Sequence, residues 1–170
     1  VWQVSVLGLS SPHVPGEYLF VSTDDGESFS VRGVTRLPDA AFDEPMLVMR
    51  SDGTWAMYVR TFSGIACTVS ADGGRTWSDG IDTGWTKVSS RFHVRRLASG
   101  KLLLLHHFGT LGRDHLCARL SMDDGRSWIG ELILDGRDGV SYPDCTVDES
   151  GRIYCIYDHG RGSHLRSMRE

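Results

Sequence analysis

The chain has 170 residues, a net charge of −4, and 40% hydrophobic and 24% charged residues, ordinary values for a globular protein. Its lysines and arginines are scattered rather than striped, which argues against a nucleic-acid surface, and no apolar run approaches the ~18 residues of a membrane-spanning helix. The 20 glycines, most of them beside turn formers such as aspartate and serine, predict many short strands joined by tight turns.

At the N-terminus, Val1–Leu9 lacks the basic-then-apolar plan of a signal peptide. With Val at position 1 and no closing turn at Arg169-Glu170, the sequence reads as one incomplete domain, residues 1–170, of a longer protein. The first punctuation is Ser22-Thr-Asp24-Asp-Gly26-Glu-Ser-Phe29. It recurs as Ser70-Ala-Asp72-Gly-Gly74-Arg-Thr-Trp77 and as Ser121-Met-Asp123-Asp-Gly125-Arg-Ser-Trp128. These boxes, at 22–29, 70–77 and 121–128, begin at serines 48 and 51 residues apart, a period that signals a repeat architecture. A second landmark stays in phase with them. Turn glycines Gly53, Gly100 and Gly151 follow the box serines by 31, 30 and 30 residues.

Between the landmarks lie short apolar strands. Met46–Arg50 leads into the first turn and Trp55–Thr61 leaves it. The second copy gives His93–Leu97 and Lys101–His106, and the third Cys145–Val147 and Arg152–Tyr157. A further strand, such as Ile65–Val69, ends in each box. Four strands per ~50 residues make one blade of an all-β propeller. In the box, the Asp carboxylate is expected to accept backbone N–H bonds, the Gly to adopt a backbone conformation other residues resist, and the Trp or Phe ring to pack between strands. The Asp-Asp-Gly run lacks the alternating ligands and distal Glu of a calcium loop.

The repeat also nominates a site. Nine positions before the turn glycines stand Glu44, Arg91 and Tyr142, expected just before the first strand of each blade. Seven positions after them stand Arg60, His107 and Asp158. Structural positions tend to repeat, whereas these differ from copy to copy. The third repeat carries four extra residues in the loop His107–Asp114, which contains Arg113, and such loops often hold binding groups. Each residue also has a plainer reading: Arg60 and Arg113 as surface arginines, Tyr142 as a core tyrosine, Glu44 before Pro45 as a turn residue. His106 and His107 are neighbours on one strand and face opposite ways, so a shared metal ion is not expected, and no cofactor is implied.

Four cysteines, Cys67, Cys117, Cys145 and Cys155, show no zinc spacing. Cys145 and Cys155 flank the Glu149–Gly151 turn, and a tight turn would leave them one residue out of register on opposite faces. Free, buried thiols are therefore expected, which leans toward a reducing, cytoplasmic compartment, although the N-terminus leaves the compartment unknown.

Taken together, Phe42-Asp43-Glu44-Pro45, Val59-Arg60-Thr61, Ser90-Arg91-Phe92, Arg113-Asp114, Ser141-Tyr142-Pro143-Asp144 and Tyr157-Asp158-His-Gly-Arg161, set among the boxes, resemble the bacterial exo-α-sialidases over nearly the whole chain. The resemblance implies a six-bladed propeller, of which a little over three blades are present, and retaining hydrolysis of a terminal sialic acid or related acidic sugar. By position, Tyr142 would be the nucleophile and Glu44 its partner base. Arg60 and Arg113 would belong to the arginine cluster gripping the sugar carboxylate, with Asp158 bracing an arginine, while Arg91 and His107, nominated by the repeat phase, are expected to line the substrate. The chemistry suits these residue types. A neutral phenol avoids the repulsion a carboxylate nucleophile would meet beside the sugar's own carboxylate, and tyrosine nucleophiles are the known exception among glycosidases. Guanidinium forks pair bidentately with planar carboxylates.

Departures from the family pattern are also present. No Asp precedes Asp24, so the family's acid/base Asp and first arginine would have to come from upstream of Val1. Asp43 and Pro143 stand where the family often has Asn and Ser, which opens the sugar specificity. Two other functions fit the same residues: a propeller hydrolase or lyase for uronic-acid polysaccharide, and a non-catalytic carbohydrate-binding repeat protein. The 170 residues alone are expected to expose unpaired strand edges, to self-associate and to lack catalysis.

Overall fold

The structure is a computed structural model that describes residues 2–3, 16–37, 40, 44–86, 90–107 and 112–160. Phe42, Asp43, Arg161 and most of the four-residue insertion fall outside the described residues. Every regular element among the described residues is a strand, so no helix is long and apolar enough to cross a membrane.

The chain divides into two compact units, Val1–Gly84 and Trp85–Glu170. The first holds a sheet of β1 (Trp2–Gln3), β2 (Glu17–Val21) and β3 (Ser30–Thr35) in that order. It also holds a sheet ordered β4 (Met46–Met49), β5 (Trp55–Arg60), β6 (Gly64–Ser70) and β7 (Ile81–Thr86), and the unit boundary falls within β7. The second unit holds a meander of β8 (His93–Arg96), β9 (Leu102–His107), β10 (Leu116–Ser121) and β11 (Ile129–Asp135), and a hairpin of β12 (Val140–Val147) and β13 (Ile153–His159). The two four-stranded sheets are the blades expected from the ~50-residue period.

Burial follows strand position. Leu102–His107 of β9 is buried at every residue, as is Ala56–Arg60 of β5, because each is an inner strand covered on both faces. Around β5, Leu37, Met57 and Val59 form a core against Leu47, Ala66 and Trp77. Around β9, Leu103, Leu105 and Cys145 form another against Leu120, Leu134 and Cys155. β13 has only β12 beside it among the described residues, and there Ile153, Tyr154, Ile156 and Tyr157 are exposed.

The three hairpin turns are built alike. Gly53, Gly100 and Gly151 have φ of +83°, +84° and +82°. Their N–H groups donate to the carbonyls of Arg50, Leu97 and Asp148. The same three residues donate in turn to the carbonyls of Thr54, Lys101 and Arg152, closing three-residue loops with a left-handed glycine at the end. This loop length corrects the expected cysteine register. With Asp148 opposite Arg152, Cys145 falls directly opposite Cys155 on one face of the hairpin, and both thiols are free.

The boxes repeat at atomic detail. Ser22 Oγ donates to Asp24 and accepts the Gly26 N–H, while Asp24 accepts the N–H and hydroxyl of Ser28. The same bonds link Ser70, Asp72, Gly74 and Thr76, and Ser121, Asp123, Gly125 and Ser127. Gly26, Gly74 and Gly125 are left-handed, and so are the preceding Asp25, Gly73 and Asp124. The aromatic position is less uniform than expected. Trp77 packs against its core and Trp128 meets Trp85 edge-on at 5.3 Å, but Phe29 is 46% exposed.

Candidate functional site

In the first unit, Glu44 stands just before β4 and Arg60 ends β5. Arg60 Nη1 donates to Glu44 Oε2 at 2.7 Å, and the side chains are only 6% and 15% exposed. A guanidinium held this way keeps a fixed direction, because freeing it would strand a buried charge.

In the second unit the site gathers on the first half of β12. The β12–β13 register slips between Ser141 and Asp144, so Tyr142 and Pro143 together span one position of the partner strand. This is a β-bulge, a device that re-aims a side chain. Tyr142 sits in it with φ of +54°, a conformation that non-glycine residues adopt only under constraint. The phenol residue therefore lies inside β12, not just before it as the repeat arithmetic predicted, because pairing of Val140 and Ser141 with His159 and Asp158 starts the strand earlier.

Five consecutive residues of β12 are bonded to residues lying between 90 and 113. His107 Nε2 lies 2.8 Å from the Val140 carbonyl. Arg113 Nη1 donates to Ser141 Oγ at 3.3 Å, and its guanidinium carbon stands 5.4 Å from the Tyr142 ring centroid, within cation–π range. The Tyr142 N–H donates to Ser90 Oγ at 2.9 Å. Arg91 Nη2 donates to the Pro143 carbonyl at 3.3 Å and to Asp144 Oδ2 at 2.9 Å. His93 adds a contact of 3.1 Å to the other Asp144 oxygen, and its pKa is lowered chiefly by burial, against the opposing pull of Asp144.

The predicted residues thus fall into distinct settings. Glu44 and Arg60 form a pair, and Arg113 and Tyr142 are in contact. Asp158 lies directly across from Ser141, on the same face as the oxygen Arg113 reaches. Arg91 is 29% exposed and grips β12 itself. His107 is 2% exposed and acts as a tether between β9 and β12. Ser90 and Asp144 were legible only as members of conspicuous motifs, since partners more than 50 residues away define what they do. Among the described residues no cluster of three or more His, Cys, Asp or Glu side chains is placed to hold a metal ion.

A family model described as a BNR repeat-like domain matches residues 6–155. The chain belongs to this family. No match was found among curated protein sequences. Solved structures share the BNR repeat-like chain's fold at low identity. The NanB sialidase of Streptococcus pneumoniae matches with a TM-score of 0.66 and 19% identity over 84% of this chain and 24% of its own. The leech intramolecular trans-sialidase, solved with 2,7-anhydro-Neu5Ac, matches with a TM-score of 0.63 and 21% identity over 83% of this chain and 24% of its own. An α-L-arabinanase of Penicillium chrysogenum, solved with arabinobiose, matches with a TM-score of 0.56 and 18% identity over 87% of this chain and 51% of its own. The chain therefore spans about a quarter to a half of the length of these proteins. The fold is all-β and of the sialidase propeller type, present as a little over three blades, with sheets of three, four, four and two strands among the described residues. In this BNR repeat-like fold the boxes form the turns that enter β3 and β11 and precede β7, whereas Tyr142, Arg113, Glu44 and Arg60 depart from the repeat.

Proposed function

We propose that this chain supplies part of the site of a retaining exo-glycosidase for a terminal sialic acid or a related acidic sugar. Tyr142 is the nucleophile in this reading: its phenol oxygen bonds to the anomeric carbon as the glycosidic bond breaks, the leaving oxygen takes a proton from an acid other than the residues assigned here, and water then releases the sugar. Glu44 is the base that takes the phenol proton. Arg60 and Arg113 bind the sugar carboxylate, and Asp158 orients the arginine side of the site. The observation that carries the reading is the setting of Tyr142: a phenol on a bulge, at a left-handed backbone angle, with a guanidinium against its ring. Strain of that kind persists only where the surroundings enforce it, and it clusters at reacting groups. A cation at that spot also suits a substrate whose anomeric carbon bears a carboxylate.

The reaction class rests on charge. A carboxylate nucleophile would approach an anionic sugar against a like charge, whereas a phenol reaches it neutral and gives up its proton as the bond forms. A base is needed because a free phenol titrates near ~10.

The test is Tyr142→Phe in the full natural protein, assayed on a panel of sialosides and uronate oligosaccharides. Turnover of the sialosides should fall by about 10³-fold or more while the melting temperature holds, since removing a nucleophile removes its whole pathway. Undiminished turnover would defeat the assignment. Activity confined to uronates would move the substrate to that class, and binding without turnover in the wild type would leave a carbohydrate-binding propeller.

A further inference from the structure

We infer that Ser90 and Arg91 are positioning residues that hold the Tyr142 bulge in its working conformation, so that Arg91 serves the site by bracing β12 rather than by touching the sugar. The inference rests on the reading of Tyr142 as nucleophile, and it adds two residues whose part in the reaction is indirect.

A bulge breaks the strand ladder and leaves backbone groups without their usual partners. Here side chains from the residues just before β8 supply those partners. Ser90 is fully buried, and its hydroxyl accepts the Tyr142 N–H. One residue along, Arg91 donates to the Pro143 carbonyl, and the same nitrogen reaches Asp144. The two contacts bracket Tyr142: one fixes the peptide entering it, the other the peptide leaving the following residue. A non-glycine residue at φ of +54° is strained, and bonds on both flanks help to hold it there. Ser141 and Val140 are fixed in turn by Arg113 and His107, which leaves the bulge little freedom to slide. Ser90 and Arg91 thus help to set the phenol's direction without meeting the reacting atoms.

This placement explains why Arg91 replaces Glu44 and Tyr142 at the equivalent position of its own repeat. One nitrogen of its guanidinium, Nη2, reaches two acceptors on β12, whereas Arg113 makes one hydrogen bond there and lies against the phenol ring.

The experiment compares Ser90→Ala, Arg91→Ala and Arg91→Lys with the wild type in the full natural protein, measuring kcat, KM and melting temperature on a sialoside and solving the variant structures. Ser90→Ala and Arg91→Ala should each lower kcat about 10- to 100-fold, as small misplacements of a reacting group do, with KM within about twofold. Arg91→Lys, which keeps one donor, should recover part of that loss. An Arg91→Ala variant with raised KM and unchanged kcat would overturn the inference by making Arg91 a substrate ligand. Unchanged kinetics in both alanine variants would overturn it as well. The structures keep this result separate from the nucleophile assignment. A Tyr142 that stays left-handed and unmoved in Ser90→Ala defeats the brace whatever the activity. A relaxed bulge alongside a fully active Tyr142→Phe defeats the nucleophile and leaves the brace standing. Should Ser90→Ala fail to fold, the two Arg91 variants carry the same comparison.

Discussion

Arg60 and Glu44 form an ion pair at 2.7 Å that is almost sealed from solvent. Removing one partner leaves the other charge buried and unpaired, which generally costs more than the pair contributes over an apolar replacement. Arg60→Ala should therefore lower stability by about 3–5 kcal/mol. The double variant Arg60→Met/Glu44→Gln should lose clearly less. Urea denaturation of the three proteins decides it. A loss under about 1 kcal/mol in the single variant would show that water reaches the pair.

Two glycines with different duties give a second prediction. A Cβ on Gly33 would lie 2.1 Å from the Gly74 carbonyl oxygen and 2.9 Å from that of Arg75, so β3 meets the second box through bare backbone. Gly26 has open space around its Cβ position but a φ of +94°. Gly26→Ala should cost only backbone strain, about 1–2 kcal/mol. Gly33→Ala should cost about 3 kcal/mol or more, because backbone cannot move aside as a side chain can. Thermal unfolding of both variants checks the order, and equal losses would contradict the close approach.

These contrasts show what the sequence makes legible. The boxes were readable because their bonds join residues two to four apart, so Ser22, Asp24, Gly26 and Ser28 already contain the whole turn. The hairpin glycines were readable for the same reason. The Cys145–Cys155 register was misread because one additional loop residue shifts a hairpin by a position, and no composition signal separates the two lengths. Tyr142 was identifiable as a departure from the repeat, but its bulge was not, since Ser90 and Arg91, some fifty residues earlier, supply the bonds that hold it. Likewise Arg91 and His107 stand out in the sequence as polar and unrepeated, but their bonds to β12 were not readable there, since those partners lie 33 to 53 residues away.

The boxes predict an acid transition. Hydrogen bonds from Ser28 and Ser22 lower Asp24 to about 2, and bonds from Ser127 and Ser121 lower Asp123 to about 2. Asp72 is depressed in the same direction by Thr76 and Ser70. A folded carboxylate below its ordinary value of 3.8 contributes stability that is complete above that value and lost as the pH falls through the lowered one. The melting temperature should therefore drop between about pH 4 and pH 2. A variant with Asp24, Asp72 and Asp123 all replaced by Asn should start lower and vary less over that interval. Parallel slopes in the two proteins would place the acid sensitivity elsewhere.

The facing thiols give the last prediction. Burial raises Cys67, Cys117 and Cys145 to about 11 and raises Cys155 as well. The neighbouring Cys155 adds to the rise at Cys145. Since the thiolate is the reactive form, a thiol titrating near ~11 is about one part in ten thousand ionised at pH 7. Proximity alone therefore does not make this pair reactive: the apolar core around Leu103 and Leu105 that brings the two sulfurs to one face also suppresses their ionisation. Alkylation at pH 7 should be slow at all four cysteines in the folded protein, fastest at the half-buried Cys155, and rapid at all four in denaturant. Mass spectrometry of a labelling time course reads each site separately. Fast native labelling of Cys145 would mean that the hairpin opens away from β9 far more often than its packing implies.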